Sequence, residues 1–456
     1  MNTDRKLGQT RIAPLIFMMS TPAIISMMVQ ALYNIVDSLF LSNYDPTLKP
    51  LSAVSLSFPI QMIVISLFVG LGIGVNSVIA RRLGEQKRDD AINAAEHGFF
   101  FGLILWVFLA LLTIKLPEIF FSQFTKDPLI IQYSVTYISI ILLFSIGRIM
   151  AQIIISIFQA SGDMISAMFI QLAGAITNII LDYFLIFGHG IFPEMGIAGA
   201  AIATVLGQFV SLIIAAIMLY TKKNTLRPNL KKFHLNKETS KNILAVSVPS
   251  ALMQGLGSIM LAALNKILSG FGDVAYTFLG IYFKVQSLVF MPVFGLTQGM
   301  MPVIGYNYGA GNKHRVMKAI KVGAIVGVSI MALGTIIFQF FPAQLLNAFN
   351  ANAEMIKIGV PAFRIISSGF VFAAISITVS TMFQALGDAY LSMIVSIARQ
   401  IVVLIPAALI LSKVYGLQQT WFAFPASEAV CVFLVLVFAS YEYNRKIKNL
   451  VPIEKN

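Results

Sequence analysis

Charged residues are scarce in this chain of 456 residues. They make up 11% of it, whereas soluble domains carry roughly 25%. Hydrophobic residues make up 58%, and the mean hydropathy is +0.84. A soluble fold of this size could not bury so much apolar surface. The composition therefore excludes an ordinary soluble domain and indicates a polytopic membrane protein.

Cysteine and the usual metal and nucleotide motifs are also nearly absent. The single cysteine, Cys431, lies in an apolar run and excludes an intramolecular disulfide. The four histidines lie far apart, and no HExxH, CxxC or GxxxxGK[ST] pattern occurs. Metal chemistry and nucleotide hydrolysis therefore have no visible site, so we expect neither an enzyme nor a bound cofactor.

Long apolar runs dominate what is present. A helix needs about 20 apolar residues to cross a bilayer. Twelve segments qualify: 12–42, 51–80, 94–114, 129–159, 164–188, 196–220, 242–269, 275–305, 318–341, 355–385, 390–412 and 417–443. The predicted fold is all-α, with twelve transmembrane helices.

The distribution of basic residues predicts the orientation. With twelve spans, one assignment of sides places 22 of the 32 Lys and Arg residues in inner segments and 5 in outer loops. Cytoplasmic loops carry such an excess, so both termini are predicted to be cytoplasmic, in what we expect to be a bacterial plasma membrane. The net charge of +13 then marks the inner face beside the membrane lipid and implies no nucleic-acid partner.

The chain repeats itself at half its length. Phe158-Gln-Ala-Ser-Gly-Asp163 and Phe383-Gln-Ala-Leu-Gly-Asp388 differ at one position. The same spacing, or nearly so, relates further pairs: Gly70 and Gly295, Gly74 and Gly299, Gly84 and Gly309, Pro117 and Pro342, Gly196 and Gly416. These pairs predict two pseudo-symmetric six-helix bundles, 1–220 and 242–456, joined by a basic cytoplasmic linker at 221–241. An even number of spans per half makes the repeat parallel.

Apart from Glu96 and Glu442, which lie within three residues of a span end, the acids within the spans are Asp37, Asp182 and Glu428. Intramembrane acids are costly and usually face a cavity or pathway. Asp37, Asp182 and Thr204 are predicted at one depth in the outer third of the first bundle, and Asn178 shares a helix face with Asp182. Such a set could bind Na⁺, or one carboxyl could hold a proton. Alternatively, both acids lie near the interface, solvated and without a coupling role.

Several other intramembrane residues have two interpretations. Tyr33 and Asn34 share a face with Asp37, and Pro22 is either a hinge or a static kink. Adaptable side chains suit an apolar drug pocket or ordinary packing, namely Met27, Met253, Met260 and Phe283. Cations deeper within spans are either structural clamps or cavity residues that attract anions, namely Arg148, Lys284, Arg364 and Arg399. Lys266, near a helix end, is expected to extend its amine to the membrane interface.

Taken together, these motifs resemble the multidrug and toxic compound extrusion (MATE) transporters. The resemblance rests on the two Phe-Gln-Ala-x-Gly-Asp strings, on Asn178-Ile-Ile-Leu-Asp182 and on Gly196-Ile-Ala-Gly-Ala-Ala. It implies antiport of organic cations or amphipathic drugs against Na⁺ or H⁺. The details are similar to the DinF-like branch, whose coupling site lies in the N-terminal bundle. By this resemblance, Asp37, Asn178, Asp182 and Thr204 match the coupling site, and Pro22, Gln30 and Tyr33 match the first helix around it.

Two functions therefore remain open. The leading one is a cation-coupled multidrug efflux antiporter, expected to be a monomer. The alternative is a flippase for a lipid-linked sugar or another anionic amphiphile. The basic residues of the second half favour the flippase, whereas the paired acids favour the antiporter.

Overall fold

The structure is a computed structural model that describes residues 3–44, 49–222, 225–229, 231, 233–349 and 351–453. Within its helices, the side chains at 3–5, 34, 35, 37–39, 42, 43 and 51 lie outside this description. The described residues are almost entirely helical and contain no strand, which confirms the predicted all-α fold.

In the part of the chain that the structure describes, two short helices and seven long or paired ones build the first half. They are α1 (Thr3–Gln9), α2 (Ile12–Tyr44), α3 (Lys49–Gly84), α4 (Arg88–Leu112), α5 (Leu116–Phe121), α6 (Pro128–Leu143), α7 (Ile146–Ala160), α8 (Met164–Phe187) and α9 (Gly196–Thr221). The second half follows the same plan. Its helices are α10 (Lys237–Ser269), α11 (Asp273–Gly309), α12 (Lys313–Phe340), α13 (Pro342–Asn347), α14 (Ala353–Ser367), α15 (Phe370–Leu386), α16 (Ala389–Ile397), α17 (Ile405–Tyr415), α18 (Leu417–Thr420) and α19 (Ala423–Glu442).

Two of the twelve predicted spans are broken rather than continuous. The α6–α7 and α14–α15 pairs each bend by 46°. No proline lies at either break, but a serine does: Ser145 Oγ donates to the Leu142 carbonyl, and Ser368 Oγ donates to that of Ile365. Such local bonds compete with the helix ladder and allow a bend. A π-helical segment, Ala398–Leu404, also interrupts the eleventh span.

The repeated hexapeptide is a helix-ending motif. Gly162 and Gly387 have φ values of +81° and +90°, which favour glycine. In each copy the Asp N–H bonds back to the Phe carbonyl, at 2.9 Å for Asp163 and 2.8 Å for Asp388. This is the Schellman arrangement, which satisfies the last carbonyls of α7 and α15. The motif is repeated because both halves must reverse direction in the same way at the same membrane face.

The Asp of each hexapeptide also ties down the end of its half. Asp163 binds Lys222, which follows α9, at 2.8 Å. Asp388 pairs with Lys446, which follows α19. These pairs lie on the face that carries both described chain ends, which we call the terminal face. It is defined by the turns at 85–87, 161–163, 310–312 and 387–388.

The paired glycines explain how the halves meet. A Cβ on Gly70 would lie 2.6–2.8 Å from Ala251 of α10, and one on Gly295 would lie 2.7 Å from Ile24 of α2. One turn closer to the terminal face, Gly74 approaches Ser247 and Gly299 approaches Ser20. Helices in lipid associate through close packing of small residues, since lipid supplies no hydrophobic drive between them. The glycine pairs therefore form a pseudo-two-fold contact of α3 with α10 and of α11 with α2.

Polar contacts strengthen this junction at the terminal face. Ser77 Oγ of α3 donates to the Gln384 carbonyl at 2.6 Å, and Arg81 donates to the Leu386 carbonyl at 3.2 Å. Towards the opposite face, α11 packs within its own half through Ala275, Phe278 and Leu279, and a Cβ on Gly280 would meet nothing within 4 Å. These contacts between the halves lie on the terminal side, so the molecule is closed there.

The segment between the halves lies against α4. Asn93 donates to the His234 carbonyl at 3.2 Å, and His97 Nε2 accepts from the Asn236 N–H at 3.0 Å. Asn236 in turn caps α10 by accepting from Glu238 and Thr239. Helix α10 therefore begins within the stretch predicted as a linker, of which positions 223, 224, 230 and 232 lie outside the described residues.

Replacing Gly70 by alanine should weaken the junction. The new methyl overlaps Ala251, so we expect a loss of about 1–3 kcal/mol in the free energy of unfolding. Gly280→Ala is the matched control: its methyl enters open space, and alanine favours helix by up to about 1 kcal/mol. Thermal unfolding of the two purified variants checks this. Equal or higher stability of Gly70→Ala would contradict the assigned junction.

Asp163 should make stability depend on acid pH. Burial alone would raise the pKa of this carboxyl, but hydrogen bonds from Lys222 and Ser166 outweigh it and hold the pKa below its ordinary value. Its contribution, about 0.5–1 kcal/mol for a partly exposed pair, is present above the ordinary value of about 3.9 and lost as the pH falls below it.

Thermal unfolding of wild type and Asp163→Asn as a function of pH measures this contribution. The variant should be less stable at pH 7 and should show a flatter decline in acid. Glu118→Gln, which changes an exposed carboxyl, serves as the control. Identical acid profiles of wild type and Asp163→Asn would show that the pair contributes nothing.

Candidate functional site

A cavity lies within the first half of the chain, with an empty volume of about 980 Å³ that includes the part open to solvent. Its size suits a drug-sized ligand. Residues of five spans line it, and its polar lining is Ser26, Gln30, Tyr33, Gln61, Ser145, Arg148, Gln171, Asn178, Thr204, Gln208 and Ser211. No carboxylate is among the lining residues that the structure describes.

Small residues bring α8 and α9 together beside this cavity. A Cβ on Gly207 of α9 would lie 2.7 Å from the Gly174 carbonyl and 3.3 Å from the backbone nitrogen of Asn178. Ser211 Oγ donates to the Ile170 carbonyl at 3.0 Å. Because the backbones approach so closely, polar side chains of the two helices meet rather than face lipid.

Three residues of the predicted coupling site lie along this contact. Asn178 Nδ2 donates to Thr204 Oγ1 at 3.4 Å, and both residues line the cavity. Asp182 lies one turn further along α8 and is fully buried. Asn178 Oδ1 is buried without a hydrogen-bond partner among the described atoms. The contact thus presents an unsatisfied oxygen acceptor near a buried carboxylate.

The remaining residues predicted on the first long helix have mixed outcomes. Gln30 and Tyr33 line the cavity from α2. The side chains of Asn34 and Asp37 lie outside the described part of the chain, so their place in the coupling site stays a prediction. Pro22 is buried inside α2, and the helix runs through it without interruption.

The predicted methionine and aromatic pocket residues do not line this cavity. Met27 accepts a hydrogen bond from Gln298 of α11 at 3.6 Å, and Met253 of α10 accepts one from Gln384 at 4.0 Å. Met260 and Phe283 pack against the apolar core of the second half. These four therefore remain candidates only for a second binding region between or within the halves.

Sequence reasoning missed several cavity residues. Gln61, Gln171 and Gln208 line it, and Gln208 Oε1 is buried without a described partner. Their presence within apolar spans is a signal in the sequence, because an uncharged amide there is also costly unless it faces a partner or a cavity. These amides carry no charge, so a pattern of charged residues does not reveal them.

The intramembrane cations fall into different classes. Arg399 pairs with Glu428 at 3.3 Å beside the π-helical segment, as a clamp within the second half. Arg364 donates to the Gln339 carbonyl at 3.2 Å, also as a clamp. Lys266 and Lys284 are exposed. Arg148 is the cation of the set that lines the cavity.

The fold and the cavity together define a class. Long apolar helices in two equivalent halves, closed on one face, with a polar cavity at membrane depth, are typical of a secondary transporter. No group of three or more His, Cys, Asp or Glu side chains suited to a metal occurs among the described residues. The arrangement is that of a membrane protein that binds and moves a solute.

Comparison with known families identifies the chain within this class. The MatE family model matches it twice, over residues 22–184 and 249–410, once in each half. The chain belongs to the MatE family, which confirms the resemblance and makes it a multi-pass membrane transporter and not an enzyme. Membership of the DinF-like branch stays a prediction.

Individual relatives cover most of the chain. It is 28% identical over 413 residues to a probable multidrug resistance protein NorM of Thermotoga maritima, covering 88% of this chain and 87% of that one. It is 25% identical over 414 residues to an FAD transporter of Shewanella oneidensis, covering 89% and 90%.

A solved structure is similar over almost the whole fold. It is an outward-facing conformation of a multidrug resistance MATE family transporter of the MOP superfamily. The TM-score is 0.91 at 26% identity, covering 98% of this chain and 99% of that chain.

The Arg399–Glu428 clamp yields a double-mutant test. Glu428→Gln leaves a buried guanidinium without its counter-charge and should reduce the free energy of unfolding by about 3–5 kcal/mol. The double variant Arg399→Met with Glu428→Leu removes both charges and should recover most of that loss. Thermal unfolding of the variants provides the measurement. Additive losses in the double variant would show that the two residues act independently.

Proposed function

We propose that this protein is a multidrug efflux antiporter that exports amphipathic organic compounds in exchange for Na⁺ or H⁺ by alternating access. The observation that carries the proposal is the unsatisfied Asn178 Oδ1 next to Thr204 and the buried Asp182, at the edge of a ligand-sized cavity. The name of the NorM relative supports drug efflux. The basic inner segments support a plasma-membrane location with both termini cytoplasmic.

The residues present fit a coupling cation. Na⁺ is a hard ion that takes oxygen ligands, and Asn178, Thr204 and Asp182 supply an amide, a hydroxyl and a carboxylate oxygen. A proton on the Asp182 carboxyl is the alternative, because burial favours the neutral form of an acid. Either ion reduces the negative charge around Asp182, and Asp37 remains the predicted partner of Asp182.

Exchange follows if the ion changes the shape of α2. This helix lies along the cavity through Ser26, Gln30 and Tyr33, and Pro22 precedes them in the same helix. Proline removes one backbone hydrogen bond, so bending at this point is less costly than elsewhere. A bound cation would favour one shape of α2 and cargo the other, which is the differential binding that coupling requires.

A second function has one specific observation in its favour. Arg148 in the cavity would suit the anionic head group of a lipid-linked sugar or a similar amphiphile, as a flippase requires. The FAD transporter among the relatives acts on a phosphate-bearing molecule by its name. Organic cations as cargo therefore stay a prediction.

Transport into inside-out vesicles tests the proposal. The full chain is supplied with ethidium, or with the carboxylate dye dansylglycine, under an imposed Na⁺ or pH gradient. At least one dye should accumulate under one gradient. Asp182→Asn and Asp37→Asn should each reduce uptake to background, because an amide cannot supply the charge that the cation neutralises.

Glu354→Gln is the control for these variants, since it changes an exposed carboxyl away from the cavity. It should transport like wild type. Uptake retained in both Asp variants would exclude them from coupling. No uptake of either dye under either gradient, by protein shown to be folded, would favour the flippase.

A further inference from the structure

Arg148 occupies a distinctive position in the fourth span. The span breaks at Phe144 and Ser145, and Arg148 lies in the first turn of α7. Ile141, Ser145 and Arg148 line the cavity, so the break itself forms part of the wall. The N-terminus of α7 carries the positive end of its helix dipole to the same place. Broken spans in transporters direct such half-helix ends towards anionic groups.

The guanidinium of Arg148 has no counter-charge in the described structure. It is surrounded by protein, although the cavity leaves part of the residue accessible. It stacks over the Phe68 ring at 5.0 Å, which contacts one face and uses none of its five N–H donors. No described carboxylate lies within 4 Å of it, unlike Arg399 with Glu428.

A half-buried cation without a counter-charge is costly unless a ligand or water satisfies it. A structural clamp would have a fixed acceptor, such as the helix carbonyl bound by Arg364. Arg148 instead faces empty space lined by amides and hydroxyls. An anionic group that enters the cavity would gain charge-assisted hydrogen bonds and would remove the cost that the free protein bears.

The second half supports this assignment by contrast. Its equivalent break lies between Ser367 and Phe370, and the position that corresponds to Arg148 at the repeat spacing is Ala373, which is fully buried. The bend is thus common to both halves, while the cation belongs to the first. Folding alone does not require a guanidinium after such a bend.

We propose that Arg148 is the anion-recognition residue of the cavity and that the transported compounds carry a carboxylate, sulfonate or phosphate on an apolar body. This deepens the proposed function and rests on it, because it names the substrate class of the same cavity. Phe68, Val64 and Ile65 supply the apolar wall beside the charge. Because the proposed cargo is anionic, the coupling cation does not repel it. Exchange of cation for cargo then depends on the shape of α2.

Ligand binding without any gradient tests this separately from transport. The probes are dansylglycine and dansylglycinamide, which share one fluorophore and differ by a single negative charge. They are titrated into the purified full chain in detergent, as wild type, Arg148→Gln, Arg148→Lys and the control Arg364→Gln. Thermal unfolding of each protein is recorded with and without probe.

Wild type should bind dansylglycine about 10- to 100-fold more tightly than the amide, which is the usual effect of a charge-assisted hydrogen bond. Arg148→Gln should lose this preference, and Arg148→Lys should keep part of it as a point charge. Arg364→Gln should retain the full ratio. Without probe, Arg148→Gln should be at least as thermostable as wild type, whereas loss of a clamp would destabilise it.

Two outcomes would overturn the proposal: a wild type that does not distinguish the probes, or an Arg148→Gln variant that distinguishes them as wild type does. If Arg148→Gln does not fold, Arg148→Lys still tests the proposal. A lysine variant that prefers dansylglycine over the amide as strongly as wild type does would exclude recognition by the guanidinium.

Displacement of dansylglycine by short-chain phosphatidylglycerol, but not by phosphatidylcholine, would support a lipid head group as the source of the anion. Displacement by neither would support a soluble amphiphile. Failed transport alongside charge-selective binding would count against the antiporter and not against this site.

Discussion

Backbone contact at the glycine pairs is the constraint on which the rest of the structure depends. In lipid, apolar side chains gain nothing by leaving one apolar neighbour for another, so helices associate where their backbones approach closely. Gly70 and Gly74 allow this for α3 on α10, and Gly295 and Gly299 allow it for α11 on α2. Because these positions lie towards the terminal face, the same contact that joins the halves also closes that face.

The two halves share a fold but differ in how they treat buried polar groups. In the second half, Arg399 has Glu428 and Arg364 has a helix carbonyl. In the first half, Asn178 Oδ1 and Gln208 Oε1 lack described partners, and Arg148 lacks a counter-charge. Asn178, Gln208 and Arg148 all line the cavity, whereas Arg399 and Arg364 are held by protein groups. This contrast supports the proposal that ligand binding belongs to the first half.

Much of the fold could be predicted because span length and repeat spacing are linear properties of a sequence. The twelve spans and the hexapeptide turns follow from apolar run length and from glycine positions such as Gly162. The two broken spans were not predicted, since no proline marks them and the bends arise where Ser145 and Ser368 bond back to their own helices. In the site, depth and helix periodicity correctly brought Asn178 near Thr204, but the amides of Gln61 and Gln208 were missed because they carry no charge.

The sequence by itself determined the class of protein, the number of spans, the duplication and the shortage of intramembrane acids, because each depends on composition or on spacing along one chain. Only the tertiary structure decided which intramembrane cations are paired. Arg148, Arg364 and Arg399 are equivalent in sequence terms, each a lone arginine inside an apolar run. Packing gives Arg399 a carboxylate from another helix and Arg364 a carbonyl, and it leaves Arg148 facing a cavity. That difference arises from contacts between distant segments, which no local pattern encodes.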